Sequence, residues 1–133
     1  MTYRFINDKF PTEHDTTIED QYKINLTIEG IACRLEILDT AGQDDYQSML
    51  DSWISYADGF LLIYSIDDKE SLEAIKSKYD RIMKNKKGQD PQIIVIGNKC
   101  DLPENKRRIE KSAVETLCKE WNIKCLEASA LVN

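Results

Sequence analysis

The chain has 133 residues, of which 41% are hydrophobic and 32% are charged. This composition predicts one folded domain over residues 1–133 with a sizeable core, and it argues against a disordered chain. A formal charge of −6 argues against general nucleic-acid binding, which needs a basic face.

Alternating polar and apolar residues predict an antiparallel β-hairpin in the first third of the chain. Ile24, Leu26 and Ile28 fall on one face of a strand, and Glu29-Gly30 is a turn sequence. The alternation then resumes through Ile31, Cys33, Leu35 and Ile37. We therefore expect a hairpin with one buried face.

Two later segments, residues 60–64 and 93–96, are continuous apolar runs, which are typical of parallel strands buried on both faces. A last short strand is predicted near residues 124–127. Helical stripes separate these strands, and we favour core packing over a cofactor-binding role for them. The stripes are Tyr46, Met49, Leu50 and Trp53; Leu72, Ile75, Tyr79 and Ile82; and Ala113, Val114, Leu117, Cys118 and Trp121. The predicted fold class is α/β, with a mainly parallel sheet, flanking helices and one antiparallel hairpin.

Candidate ligand-binding residues follow several of the predicted strands. Asp39 ends the second strand, Asn98 follows the run at residues 93–97, and Ser129-Ala130 follows the last strand. Folds of this class bind ligands at the carboxyl ends of their strands. We therefore expect these loops to converge on one edge of the sheet.

The run Asp39-Thr40-Ala41-Gly42-Gln43 combines three groups suited to phosphate chemistry. A carboxylate at a strand end can hold Mg²⁺, directly or through water. Gly42 lets the backbone approach a phosphate oxygen, and Gln43 offers an amide that could orient an attacking water. A polar turn that merely closes a strand is the alternative interpretation of the short pattern.

The run Asn98-Lys99-Cys100-Asp101 is suited to recognising a base. A carboxylate accepts two parallel N–H bonds, and guanine presents such a pair on one edge whereas adenine does not. If Asp101 is buried, leaving it unpaired with adenine would be costly, which gives specificity. An Asx turn after a strand is the alternative interpretation.

Together with Thr16-Thr17-Ile18-Glu19-Asp20, these runs resemble the Ras family of small GTPases, over essentially the whole chain. The resemblance implies a G domain of the P-loop NTPase type that binds GTP and GDP with Mg²⁺ and hydrolyses GTP. It implies that Thr17 and Asp39 hold Mg²⁺ and that Gly42 and Gln43 act in hydrolysis. The residues implied at the guanine base are Phe10, Asn98, Lys99, Asp101, Ser129 and Ala130.

The resemblance also implies partners and a location. Effector proteins would bind residues 16–20 and the adjacent strand, and GTPase-activating and exchange proteins would regulate a signalling switch. The chain has no signal peptide, no apolar run that could span a bilayer, and no C-x-x-C pair among its four cysteines. We expect a cytoplasmic protein with reduced thiols, whose parent could reach the inner face of the plasma membrane through a C-terminal lipid not present here.

One family element has no counterpart in the sequence. A phosphate loop, G-x-x-x-x-G-K-[ST], needs two glycines five positions apart, and Gly30, Gly42, Gly59, Gly88 and Gly97 include no such pair. Met1 aligns inside the helix that follows this loop in the family, so the central first strand is also missing, and the sequence stops before the family's last helix. We therefore predict weak nucleotide binding and little hydrolysis for this chain, as part of a larger GTPase. A non-catalytic effector-binding module and a non-functional fragment are the alternatives.

Overall fold

The structure is a computed structural model that describes residues 1–10, 19–40 and 47–132. Contacts divide the chain into two units, Met1–Gln43 and Asp44–Asn133, and each is described by itself. The first unit contains helix α1 (Thr2–Asn7) and strands β1 (Glu19–Ile28) and β2 (Ile31–Thr40). The second contains α2 (Gln47–Tyr56), β3 (Gly59–Ser65), α3 (Lys69–Asn85), β4 (Gln92–Asn98), a 3₁₀ turn (Glu104–Lys106), α4 (Lys111–Glu120) and β5 (Lys124–Ala128).

In the first unit, β1 and β2 form the predicted antiparallel hairpin. Glu29 and Gly30 form the turn with φ angles of 50° and 82°. Two consecutive residues with positive φ suit the right-handed twist of a tight hairpin, and glycine adopts this conformation without strain. The register places Ile24 opposite Leu35 and Leu26 opposite Cys33, so the alternating apolar residues share one face as predicted.

The prediction that this face of the hairpin is buried was wrong for the half nearer the turn. Ile28, Ile31 and Leu35 are exposed, with Ile28 at 55%. The elements described in this unit are two strands and a six-residue helix without a buried residue. Such a small set offers too little apolar surface to bury a whole sheet face.

The second unit contains a parallel three-stranded sheet in the order β3-β4-β5. Helix α3 connects β3 to β4, and α4 connects β4 to β5, which confirms the predicted α/β class with a mainly parallel sheet. Among the described residues, β2 pairs only with β1 and β3 only with β4. No described helix is long and apolar enough to cross a bilayer.

The core of this unit lies between the sheet and its two connecting helices. Asp68 caps α3 by accepting a hydrogen bond from the backbone N–H of Glu70 at 3.0 Å, which fixes where the helix begins. Two of the predicted stripe positions of α3, Ile75 and Ile82, are fully buried. The buried cluster consists of Ile54, Leu62, Tyr64, Ile66, Ile75, Ile82, Ile93, Val95, Ile109, Val114 and Cys118.

Three burial predictions were wrong in this unit. The run at residues 60–64 is not buried on both faces, because Leu61 and Ile63 are exposed while Leu62 and Tyr64 are in the core. Successive strand residues point to opposite faces, and the core cluster that includes α3 and α4 residues contains only one of those two sets. Met49 and Ala113, predicted on core-facing stripes, are also exposed.

Candidate functional site

The candidate base-binding residues of the second unit lie in two loops that leave the same edge of the sheet. Asn98 is the last residue of β4, and Ala128 is the last residue of β5. The two residues are partners in the parallel register, so the segments that follow them begin side by side. This placement agrees with the expected convergence of the loops after β4 and β5.

Three hydrogen bonds join the two loops. The backbone N–H of Ala130 donates to the side-chain Oδ1 of Asn98 at 3.1 Å. The backbone N–H of Cys100 donates to the carbonyl oxygen of Ala128 at 3.2 Å. The Ser129 hydroxyl donates to Oδ1 of Asp101. The structure therefore brings together four predicted residues, Asn98, Asp101, Ser129 and Ala130.

Ser129 is the organising residue of this contact. Its buried hydroxyl accepts hydrogen bonds from the backbone N–H groups of Leu131, at 3.2 Å, and Val132, at 3.1 Å. With its own proton on Asp101, the hydroxyl uses both its donor and its acceptor capacity. The buried Ser129 hydroxyl thus fixes the orientation of the Asp101 carboxylate.

Asp101 itself is exposed, which differs from the burial considered in the sequence argument. A carboxylate in water loses little when it is unpaired, since solvent satisfies it. Asp101 would discriminate between bases only when the flat ring of a base covers its carboxylate and excludes water. Fixed by Ser129, the carboxylate is suited to accept two parallel N–H bonds from the edge of such a ring.

Lys99 is held in an unusual backbone conformation. Its φ of 70° lies in the left-handed region, which residues with a Cβ adopt rarely. Its carbonyl accepts a hydrogen bond from the N–H of Leu102 at 3.0 Å, which closes a turn around Asp101. Its ammonium group donates to the two carboxylate oxygens of Asp67 at 3.1 and 3.2 Å.

Asp67 is a residue of this edge that the sequence analysis missed. It lies two residues after the end of β3, so its position after a strand could have identified it. The Ser65 hydroxyl donates to Asp67. This hydrogen bond, followed by those from Lys99, holds the pKa of the Asp67 carboxyl below its ordinary value.

A bidentate ion pair between Arg107 and Glu127 lies at the end of β5, just before the loop that follows this strand. Arg107 donates to the two carboxylate oxygens of Glu127 at 2.8 and 3.0 Å, and also to the carbonyl of Ile109 at 3.2 Å. The hydrogen bond from Arg107 lowers the pKa of Glu127. Because Glu127 stands two residues before Ser129, the pair ties the chain after the 3₁₀ turn to the candidate site.

Gly97 is required by the packing beneath Asn98. A Cβ at this position would lie 2.6 Å from the Tyr64 hydroxyl oxygen and 2.9 Å from its Cζ. A side chain would therefore displace a tyrosine that is 2% exposed in the core. No sequence pattern predicted this packing role of Gly97.

The remaining predicted residues belong to the first unit or lie outside the described residues. Thr17, Gly42 and Gln43 lie outside the described residues, as do residues 16–18 of the predicted effector loop. Asp39 belongs to the first unit, where it is half-buried and opposite Asp20 in the hairpin. Phe10, in the same unit, is exposed.

Metal-binding side chains are not clustered in the part of the chain that the structure describes. They contain no group of three or more His, Cys, Asp or Glu side chains that could hold an ion, and Asp39 is the one predicted Mg²⁺ ligand among them. The four cysteines are free. Burial raises the pKa of Cys118 to about 12, which makes that thiol a poor nucleophile and metal ligand.

This chain is similar to known proteins over nearly its whole length. The sequence model of the Ras family matches residues 1–133. The chain is also similar to the Ras-like protein rasB of Dictyostelium discoideum, with 38% identity over 130 residues. That alignment covers 98% of this chain and 66% of the relative, so the chain spans about two thirds of the length of rasB.

Proposed function

Because this chain belongs to the Ras family, we propose that it provides the guanine-recognition part of a GTP-dependent switch. The observation that supports this most strongly is the hydrogen-bonded contact between the loops after β4 and β5. The buried Ser129 hydroxyl orients Asp101, and Asn98 holds the backbone of Ala130. These loops are set in place by protein groups alone, so the site is preorganised for a ligand.

In the proposed complex, the Asp101 carboxylate accepts the N1–H and one amino N–H of guanine. Adenine offers no such pair of donors on one edge, so it would leave the carboxylate covered but unpaired. Sites that hydrogen-bond a ligand group reject analogues lacking it far more strongly than apolar pockets do. The aliphatic part of Lys99 is proposed to lie along the face of the base. For Phe10, a role at the base stays a prediction from the family resemblance.

We also propose roles at the phosphates of GTP for four residues of the first unit, three of which lie outside the described residues. Thr17 and Asp39 are the proposed Mg²⁺ ligands, Gly42 donates to a phosphate oxygen, and Gln43 orients the water that hydrolyses GTP. Mg²⁺, when bound, neutralises charge on the phosphates. Effectors are proposed to bind around residues 16–20 and β1. Activating and exchange proteins are proposed to regulate the switch, in a cytoplasmic signalling role.

The 133 residues contain no G-x-x-x-x-G-K-[ST] run, so we expect them to bind nucleotide weakly by themselves. That run supplies the backbone N–H cradle and the lysine that hold the β- and γ-phosphates. Asp101 can recognise only the base. Base-selective but weak binding, without useful hydrolysis, is therefore the expected behaviour of this chain.

The test is thermal unfolding of the full chain with millimolar GDP and Mg²⁺, with ATP and Mg²⁺ as the control. A ligand that binds only the folded state stabilises it by RT ln(1 + [L]/Kd), and Tm rises accordingly. We expect GDP, and not ATP, to raise Tm. Equal shifts with both nucleotides would contradict base recognition by Asp101, and no shift with either would contradict guanine binding by this chain.

A pair of variants makes the test specific to Asp101. Asp101→Asn should abolish the GDP shift, because its amide presents a donor where guanine also presents one. The same variant should respond to xanthosine diphosphate, which carries a carbonyl in place of the guanine amino group. Asp90→Asn, which removes a carboxylate just before β4, at the other end of that strand from Asn98, should behave like the wild type.

A second candidate function is a nucleotide-independent interaction module. The observation that favours it is the hairpin, where β1 pairs only with β2 among the described residues and Ile28 and Ile31 are exposed. An edge strand of this kind can accept a strand from a partner. Cooperative unfolding that no nucleotide shifts would favour this candidate over guanine recognition.

A further inference from the structure

We propose that Asp67 is a positioning residue that sets the Lys99–Asp101 loop before a nucleotide binds. The inference rests on the proposed function, since it assigns the guanine site a support that is separate from its contacts to the base. Asp67 would not touch the ligand. It would act through Lys99, and Lys99 would transmit the constraint to Asp101 two residues along the chain.

Asp67 can serve as an anchor because it is itself held at the junction of β3 and α3. The Ser65 hydroxyl donates to one of its oxygens, and the Ser65 backbone N–H donates to the Ser71 hydroxyl at 2.9 Å. The Ser71 hydroxyl in turn donates to the carbonyl of Asp68 at 2.6 Å. The carboxylate is therefore connected by short hydrogen bonds to the end of a strand and the first turn of a helix.

Lys99 needs such an anchor because its backbone is in the left-handed region. This conformation is unfavourable for a residue with a Cβ and persists only where the surroundings determine it. Hydrogen bonds hold the backbone on the C-terminal side, from Cys100 N–H to Ala128 and from Leu102 N–H to Lys99. The two contacts of the ammonium with Asp67 hold the side chain from the opposite direction.

The Asp67–Lys99 ion pair is expected to act on the loop more than on global stability. The Lys99 side chain is 49% exposed and that of Asp67 is 30% exposed. Pairs with this exposure contribute little to the free energy of unfolding. A local effect on the loop, with an almost unchanged melting temperature, would therefore separate positioning from general stabilisation.

Among the described residues, the side chains that hydrogen-bond to Asp67 are those of Lys99 and Ser65, so the result of a substitution there can be traced to them. Lys99 approaches from the loop after β4, and Ser65 approaches from β3. Asp67→Asn keeps the size of the side chain and removes its charge. Asp68→Asn is the matched control, because it removes one charge from the adjacent residue while asparagine can still cap α3.

The first measurement is amide hydrogen exchange of the full chain without nucleotide, followed by NMR. In Asp67→Asn, the amides of Cys100 and Leu102 should exchange about two- to fivefold faster, the range expected for an exposed ion pair. Asp68→Asn should leave both rates unchanged. In a Lys99→Met background, Asp67→Asn should have no further effect, because the group through which it acts is gone.

The second measurement is the GDP dissociation constant of the same variants, from the concentration dependence of Tm. Asp67→Asn should raise it about two- to fivefold, and Asp67→Glu should restore part of the loss by providing a carboxylate again. A role confined to packing would show no rescue by Asp67→Glu.

The outcomes separate this inference from the proposed function. Unchanged exchange of Cys100 and Leu102 in Asp67→Asn would overturn it, as would an effect that persists in the Lys99→Met background. Unchanged GDP affinity of Asp67→Asn, in a wild type that binds GDP, would also overturn it. If the wild type does not bind GDP, the proposed function fails for this chain, while the exchange rates still decide whether Asp67 positions the loop.

Discussion

The two units of this chain differ in how their apolar residues are used. In the second unit, Leu62, Tyr64 and Val95 from the sheet form a buried cluster with residues of α3 and α4. In the first unit, no described residue is buried, and half of the apolar face of the hairpin is exposed. The first unit is held mainly by the β1–β2 ladder, whereas the second has a packed core.

This difference bears on where a preorganised site can exist. Asn98, Asp101 and Ser129 stand on strands and loops attached to the packed core, and the hydrogen bonds that join these loops form without a ligand. Asp39 stands on the hairpin, in a unit with few buried contacts. Segments with few buried contacts open at low free-energy cost, which suits parts that change conformation. Under the proposed function, the residues for base recognition and those for phosphate binding stand in units that differ in buried core.

The largest expected effect is the truncation of a core isoleucine. Ile66 is 0% exposed, and its carbonyl also accepts hydrogen bonds from the N–H groups of Arg108 and Ile109. Ile66→Ala should lower the free energy of unfolding by about 2–5 kcal/mol, through lost burial and the cavity that remains. Urea denaturation followed by tryptophan fluorescence measures this, because Trp53 and Trp121 both lie in the second unit.

Ile28→Ala is the matched substitution in the hairpin. Ile28 is 55% exposed, so its truncation removes little buried surface and leaves no cavity. The tryptophan transition should shift by less than about 0.5 kcal/mol. An effect of Ile28→Ala as large as that of Ile66→Ala would show that the contrast between the units is false.

The second expected effect compares two arginine–glutamate pairs. Arg107 and Glu127 form a bidentate pair with side chains 12% and 17% exposed, whereas Arg34 and Glu36 on the hairpin are 3.4 Å apart and largely exposed. Arg107→Ala should cost about 2–3 kcal/mol, because it leaves Glu127 partly buried without its partner. Arg34→Ala should cost less than about 0.5 kcal/mol.

The cost of Arg107→Ala should depend on pH in a stated direction. The folded-state pKa of Glu127 is lowered by Arg107 from an ordinary value of 4.5. A lowered carboxyl pKa contributes stability that is present above the unfolded value and is lost as the pH falls through the folded one. The difference between wild type and variant should therefore shrink below pH 4.5. A difference independent of pH would assign the effect to packing of the arginine stem.

The sequence predicted the fold well where local periodicity determines it. The hairpin turn at Glu29-Gly30, the strand at residues 93–96 and the helix that buries Ile75 and Ile82 were all predicted from such patterns. Burial was predicted less well, because exposure depends on which elements cover a face. Leu61 has the same local sequence character as Leu62, and only the position of the helices distinguishes them.

The candidate site was predicted to a similar extent. Asn98, Asp101 and Ser129 could be placed together because parallel strands bring their carboxyl ends to one edge. The position of Asp67 after β3 could have placed it at this edge, but its contact with Lys99, 32 positions away in sequence, could not be predicted. The contact of Arg107 with Glu127, 20 positions away, could not be predicted either. A pattern within one sequence does not show which residues so far apart along the chain are in contact. The roles of Thr17, Gly42 and Gln43 stay predictions.

The smallest expected effect appears only in alkali and concerns Tyr64. Burial raises the pKa of this phenol from 10.0 to about 12, and its side chain is 2% exposed. An acid that ionises more readily when unfolded loses folding stability as the pH rises from its unfolded to its folded pKa. Relative to Tyr64→Phe, the wild type should therefore lose about 1–2 kcal/mol between pH 10 and 11.5. Urea denaturation across this range measures the loss, with Tyr56→Phe as the control, because Tyr56 is 86% exposed.

Parallel curves for wild type and Tyr64→Phe would mean that the phenol is hydrated in the folded state. The core beneath Gly97 and Asn98 would then be open to water, and the second unit would lack the rigidity that distinguishes it from the hairpin.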